Sequence, residues 1–167
     1  GKNVLMNVND CPFELAQSTF KDIKKQYEKI NVLLTGYGGA GPYPQCFENL
    51  NLDEKKIAAK TKEKQFLNQA IKYIDEIKPN YYLPFAGTYT LTGKFSNLQN
   101  LRGVSSIDNA YVFFENYYSL KNLPDKIKPL KLNPESTFDL SIEEYDRVYE
   151  KINQDEHNLY IAEKLNN

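Results

Sequence analysis

The stretch Gly1-Lys2-Asn3-Val4-Leu5-Met6-Asn7-Val8-Asn9-Asp10-Cys11 decides the reading of this chain, because an apolar strand delivers one carboxylate at its C-terminal end and then turns into a helix. Ligand and metal sites of open α/β layers form at such strand ends, where peptide groups point outward and the next helix begins nearby. Residues 4–8 are apolar enough for a strand covered on both faces, and Pro12 can begin a helix without losing a needed donor. With a core strand as its first element, the chain reads as the second part of something larger.

Outward from that strand, the predicted helix carries Ala16, Phe20, Ile23, Tyr27 and Ile30 in one apolar stripe, while Lys21, Lys24, Lys25 and Lys29 fall elsewhere, as on a solvated face. Val32-Leu33-Leu34 reads as a second buried strand. Strand, amphipathic helix and strand at this length produce neighbouring parallel strands with a right-handed crossover. Gly36-Tyr37-Gly38-Gly39-Ala40-Gly41-Pro42-Tyr43-Pro44 then forms a loop at a strand's C-terminal end, its glycines allowing turns closed to other residues. Residues 53–78 are helical in pattern, with Ile57, Phe66 or Leu67, Ala70, Ile71, Ile74 and Ile77 inward and Pro79 closing the helix. Tyr81-Tyr82-Leu83-Pro84-Phe85-Ala86-Gly87 is a third strand running into another loop.

Beyond residue 92 the pattern weakens. Residues 93–103 are polar and glycine-flanked, residues 107–120 form a Tyr/Phe-rich helix, and residues 128–132 and 138–140 form short strands around Asn133-Pro134. Ser141-x-x-Glu144 has the pattern of a capping box and predicts a helix to about residue 153. No repeat, long linker or low-complexity tract marks a second domain, so residues 1–167 are expected to form one α/β domain, a layered sheet with helices, with residues 93–167 as a helical C-terminal extension.

Composition bounds the function. At 167 residues the chain can bury a substantial core, and 21 Lys plus Arg against 22 Asp plus Glu give a net charge of −1, with no general attraction to nucleic acid or an anionic membrane. No apolar stretch approaches bilayer length and no signal-peptide order is seen, so a cytoplasmic location is expected. Cys11 and Cys46 lack metal-pair spacing and read as small buried residues. The one histidine, His157, is expected on an exposed helix face, and its isolation weighs against a self-contained zinc hydrolase. Ser105, Ser106 and Asp108 have no histidine near in sequence to act as base, and the cluster from Tyr111 to Tyr118 reads as core.

Two segments carry candidate chemistry. Asp10 serves either as a metal ligand or as a helix cap that complements the helix dipole. The glycine-rich loop is either a tight structural turn or a nest of amides for a phosphate or carboxylate, with Tyr37, Gly38, Gly39, Tyr43 and Gln45 as substrate contacts. The loop has neither a P-loop lysine nor the spacing of a dinucleotide fingerprint.

Three segments in this order resemble the C-terminal half of the metallo-β-lactamase αββα sandwich, in the branch of the ascorbate-phosphate lactonase-like enzymes and the hydrolase-like part of CMP-sialic acid hydroxylase. They are Lys2 to Asp10, Ile30-Asn31-Val32-Leu33-Leu34 with its glycine-rich loop, and Lys78-Pro79-Asn80-Tyr81-Tyr82-Leu83-Pro84-Phe85-Ala86-Gly87. The similarity covers roughly residues 1–92, and Leu130-Lys131-Leu132-Asn133-Pro134-Glu135 resembles a later turn of the hydroxylase-like members. The resemblance implies that Asp10 is the carboxylate that bridges two divalent ions, zinc in most of the family, and that the chain is part of a metal-dependent hydrolase acting on a small molecule such as a sugar nucleotide or phosphate ester. The family's His-x-His-x-Asp-His run is absent and belongs to the half that would precede residue 1. Phe85-Ala86 stands where the last strand usually ends in a metal-binding histidine, and no Cys-x-His pair marks the iron–sulfur domain of the hydroxylase. The chain alone is therefore expected to be catalytically silent, with its catalytic groups unknown and an upstream half as its partner. The alternative is a non-catalytic module whose glycine loop and tyrosines hold a small ligand or a protein without metal.

Overall fold

The computed structural model describes residues 3–121 and 127–165. β1 (Leu5–Asn7), β2 (Val32–Gly36), β3 (Tyr81–Phe85) and β4 (Lys128–Pro129) form one parallel sheet in the order β1-β2-β3-β4. α1 (Phe13–Gln26), α2 (Leu52–Ile77) and α3 (Ile107–Leu120) connect them, with a 3-10 segment over Gly93–Leu101. A small antiparallel pair, β5 (Phe138–Asp139) and β6 (Glu144–Tyr145), follows, and α4 (Gln154–Tyr160) leads into a wider final turn over Ile161–Leu165.

All three long helices share one core. Leu33 of β2 and Tyr82 of β3 point into it, where they meet Phe20 of α1, Leu67, Ile71 and Ile74 of α2, and Ala110 and Phe114 of α3. Consecutive parallel strands joined by crossovers of one hand place every helix on the same side of the sheet. The Asp75 carboxylate fixes α3 to α2 by accepting hydrogen bonds from Tyr117 Oη at 2.7 Å, Tyr118 Oη at 3.1 Å and Lys121 Nζ at 2.8 Å. Burial, and then the neighbouring Asp75, push the Tyr118 phenol far above its ordinary range, so it stays a donor.

The other face of the sheet is covered more thinly. Val32, Tyr81 and Leu130 are buried there, with Leu34, Leu83, Phe138 and Leu140 packed around them. The Phe138 ring contacts Tyr81 at 5.1 Å and Tyr145 at 4.6 Å between centroids. On β1, Leu5 pairs in register with Val32 and so lies on this face, yet it is 61 % exposed.

Several expectations are corrected. β1 is covered on one face only: Val4, Met6 and Val8 pack toward the helices while Leu5 and Asn7 face solvent. α1 ends at Gln26, and Tyr27 is extended with its N–H closing on Ile23 O, so Ile30 reaches the core from the connection to β2. The Ser141-x-x-Glu144 pattern opens no helix. Asp139 captures the Ser141 amide at 2.8 Å and its hydroxyl at 2.6 Å, Glu143 adopts a positive φ of 56°, and Glu144–Tyr145 folds back as β6. An aspartate two residues before a serine competes for the donors that a helix start would need. α4 begins only at Gln154, where Asn153 caps Asp155 and Glu156. The short strands expected over residues 128–132 and 138–140 are present as β4 and β5, and β4 adds a fourth strand to the main sheet.

Candidate functional site

The C-terminal ends of β1, β2 and β3 lie at one edge of the sheet because the strands are parallel and adjacent. A cleft of about 260 Å³ opens there, lined by Asn9, Asp10 and Cys11 after β1, by Gly36 and Gly38 after β2, and by Phe66, Gln69 and Tyr73 from α2. Asp10 is exposed, sits in a left-handed turn at φ 55°, and accepts one hydrogen bond, from Asn9 Nδ2 at 3.0 Å. Aspartate tolerates that conformation better than most residues because its short side chain bonds locally. α1 starts at Phe13, and Pro12, at its N-cap position, provides no side-chain hydrogen bond. The carboxylate is therefore not spent as a helix cap, and it faces the same cleft as the glycine turn.

The glycine turn is held by close backbone packing. A Cβ on Gly38 would meet Gly87 O at 2.3 Å, and one on Gly87 would meet the Tyr37 ring at 2.3 Å. The turns after β2 and β3 thus interlock, and only glycine permits the approach. Tyr37 is buried beneath them and exchanges a hydrogen bond with Thr88 Oγ1 at 2.9 Å, while Thr88 Oγ1 donates to Ser105 O at 3.0 Å. Burial pushes the Tyr37 phenol above its usual range. Gly39 lies against Phe66, whose ring a Cβ would meet at 2.7 Å. Ala86, at the end of β3, also takes a positive φ, 50°.

The remaining candidates separate from Asp10. Gln45 is 1 % exposed, and its Nε2 donates to Gly41 O at 2.5 Å and to Tyr89 Oη at 3.1 Å, so it braces the loop from within. Tyr43 lines a neighbouring groove, stacked edge-on against Phe47 at 5.1 Å. Of the six candidates, Asp10 and Gly38 share the cleft, Gly39 borders it through Phe66, and Tyr37, Tyr43 and Gln45 do not line it. Asn9, Gln69 and Tyr73 were not anticipated as cleft residues. Phe66, Gln69 and Tyr73 recur at spacings of three and four and make one stripe on α2, a signal present in the sequence but hidden within a helix read as core-facing.

Among the described residues no three of His, Cys, Asp and Glu gather as a metal site. Asp10 offers one carboxylate with a free oxygen, beside the Cys11 residue that also lines the cleft. Phe85 and Ala86 bring no ligand, and His157 lies on α4. A zinc site takes three or four protein groups, so these residues fit one corner of such a site and not the whole. Ser105 Oγ and Gln45 Oε1 are buried without a protein partner. No described helix is long and apolar enough to cross a membrane. No family model, curated protein or solved structure matches the chain.

Proposed function

We propose that this chain is the C-terminal portion of a metal-dependent, metallo-β-lactamase-like hydrolase, in which Asp10 contributes one carboxylate to a divalent ion, zinc by resemblance. The observation that carries this reading is the placement of Asp10: at a strand end, exposed, uncommitted to the helix behind it, and in one cleft with the glycine turn. The thinly covered face of the sheet is consistent with it. Parallel sheets are normally covered on both sides, and here Leu5 stands largely in solvent beside half-buried Leu34 and Leu83. A second layer of the same protein would complete that face and bring the missing ligands.

A bound divalent ion would supply a water of lowered pKa for hydrolysis. This chain's part is to hold the carboxylate in place through the left-handed turn and the Asn9 amide, and to shape the cleft with the interlocked turns. On its own it has too few ligands for a closed site.

The test uses the longer protein encoded together with the residues upstream of Gly1, purified without added metal and measured by elemental analysis. Zinc, iron or manganese near stoichiometric amounts, reduced at least several-fold in Asp10→Asn with the fold retained, is the expected result. A metal-free longer protein, or an Asp10→Asn variant with unchanged content, overturns the reading and favours a non-catalytic binding module.

A further inference from the structure

Two cations lie together on this molecule without an anion. Lys62 of α2 and Arg102, which follows the 3-10 segment, are each half-buried. Among the described residues neither forms an ion pair, whereas the more exposed Lys24, Lys72 and Lys121 all do. Charges withdrawn from water are ordinarily paired, because desolvation without a counter-charge costs free energy. Burial lowers the pKa of both groups, so each charge is held at such a cost.

The fold brings them to one seam. Lys62 Nζ donates to Tyr43 O at 2.7 Å, on the loop after β2, and to Arg102 O at 3.1 Å. The Arg102 guanidinium carbon sits 5.5 Å from the centroid of the Tyr89 ring. Tyr89 Oη donates to Gly41 O at 3.4 Å and accepts from Gln45 Nε2 at 3.1 Å. Loop 41–45, Tyr89, Arg102 and Lys62 thus close a ring of contacts. Gly103 takes a φ of 66°, and a Cβ there would meet Lys62 Cδ at 2.9 Å and Ala59 O at 3.0 Å, so the turn presses on α2 along the lysine stem. The carbonyls fix the direction of these donors but, as neutral dipoles, leave both charges uncompensated. Of the three Lys62 N–H groups two are taken. Arg102 Nε donates to Gln99 O at 2.7 Å, and its terminal nitrogens have no acceptor among the described residues. Glu54, on α2 as well, is turned to its own helix start, where it accepts from the Asn51 amide at 2.8 Å.

We propose that Lys62 and Arg102 form a binding site for a phosphoryl group, to which the guanidinium offers its terminal N–H groups and the ammonium its third N–H. A planar guanidinium matches phosphate oxygens in pairs, and a lysine adds a point charge. A phosphate dianion balances both cations, whereas a carboxylate balances one. The site draws neither on Asp10 nor on a metal, so it stands or falls apart from the hydrolase reading.

The experiment titrates the full chain with inorganic phosphate, glycerol 3-phosphate and acetate, sodium chloride holding the ionic strength constant, and follows backbone amide shifts by NMR. Saturable shifts are expected with both phosphates, centred on residues 41–45, 60–63 and 99–103, and acetate should bind about tenfold more weakly. Arg102→Gln keeps the carbonyl that Lys62 bonds and should weaken phosphate about tenfold, with Arg102→Lys losing less. Lys64→Gln, at an exposed position of α2, should leave the affinity unchanged. Phosphate should also raise the thermal midpoint of the unaltered chain above that in sodium chloride of equal ionic strength, a measurement that needs no variant. Glycerol 3-phosphate binding at least as tightly as inorganic phosphate supports the site as one for a phosphoryl group carried on an organic molecule, and the reverse order supports it as one for the free ion. Shifts that fail to saturate, spread over the exposed lysines, appear equally with acetate, or persist unchanged in a folded Arg102→Gln overturn the assignment, as does a midpoint that phosphate does not raise.

Discussion

On the helix side of the sheet, Leu33 and Tyr82 are covered by side chains from three helices, whereas on the other side Val32 and Tyr81 are covered by Leu130 and one small strand pair. The first face is built by repetition: strands bring residues into register, and each amphipathic helix contributes a stripe. The second is built by one local device, the Phe138 ring wedged between Tyr81 and Tyr145. The helix side should therefore carry the stability of the chain, and the other side should come apart without unfolding it.

Truncation of one large ring on each face gives the sharpest break. Phe20→Ala, at a residue 1 % exposed, should cost about 3–5 kcal/mol in chemical denaturation. Phe138→Ala should cost less than about half as much, and amide exchange should show β5 and β6 opening while β1 to β3 keep their protection. Equal losses at both positions would erase the distinction between the faces.

The interlock of the two turns is the next largest effect. Gly87→Ala places a methyl 2.3 Å from the Tyr37 ring and should destabilise by about 1–3 kcal/mol, with near-ultraviolet tyrosine signals altered. Ala86→Gly, one residue earlier, has the opposite sign. Ala86 holds a φ of 50°, which a Cβ disfavours, so glycine should raise the stability by about 0.5–1 kcal/mol despite its greater freedom when unfolded. A loss there would mean that the methyl itself packs.

The smallest effect is a pH dependence concentrated on the second face, where Asp139, Glu143 and Asp146 are all held low, against Glu14 on the helix side. Ser141 donors hold the Asp139 carboxyl below its ordinary range, and the Thr137 amide does the same for Asp146. Their contribution is complete above the usual aspartate values near about 4 and is lost as pH falls through the lower folded-state values. Amide exchange in β5 and β6 should accelerate on acidification through that window while amides of α2 stay protected. Uniform acceleration across the chain would assign the acid sensitivity elsewhere.

The same contrast explains what the sequence disclosed. α2 was legible from periodicity and from Pro79, except that Ile57, read as inward, is 68 % exposed; α3 was legible only as a Tyr/Phe-rich run, and the three strand ends with the helices between them followed from the apolar runs. The second face was not legible. A capping-box pattern at Ser141 is indistinguishable in sequence from a serine taken by Asp139, and which one forms depends on Phe138 docking on Tyr81, a contact between residues far apart in the chain. The exposure of Leu5 was hidden for a related reason, since an apolar strand does not record which of its faces will be covered. At the site, Asp10 was visible as an acid at a strand end. That Gln45 and Tyr37 turn inward was not, because the direction of a side chain in a glycine-rich turn follows from backbone angles that glycine leaves free.

The meshing of Gly38 with Gly87 and of Gly87 with Tyr37 also limits how the molecule can breathe. The loop after β2 cannot swing without dragging the end of β3, so that wall of the cavity behaves as a fixed jamb. The opposite post, the short Asn9–Pro12 corner ahead of α1, is tied as well, since Cys11 N donates to Val8 O at 3.2 Å and Tyr73 Oη donates to Cys11 O, so it moves only together with α2.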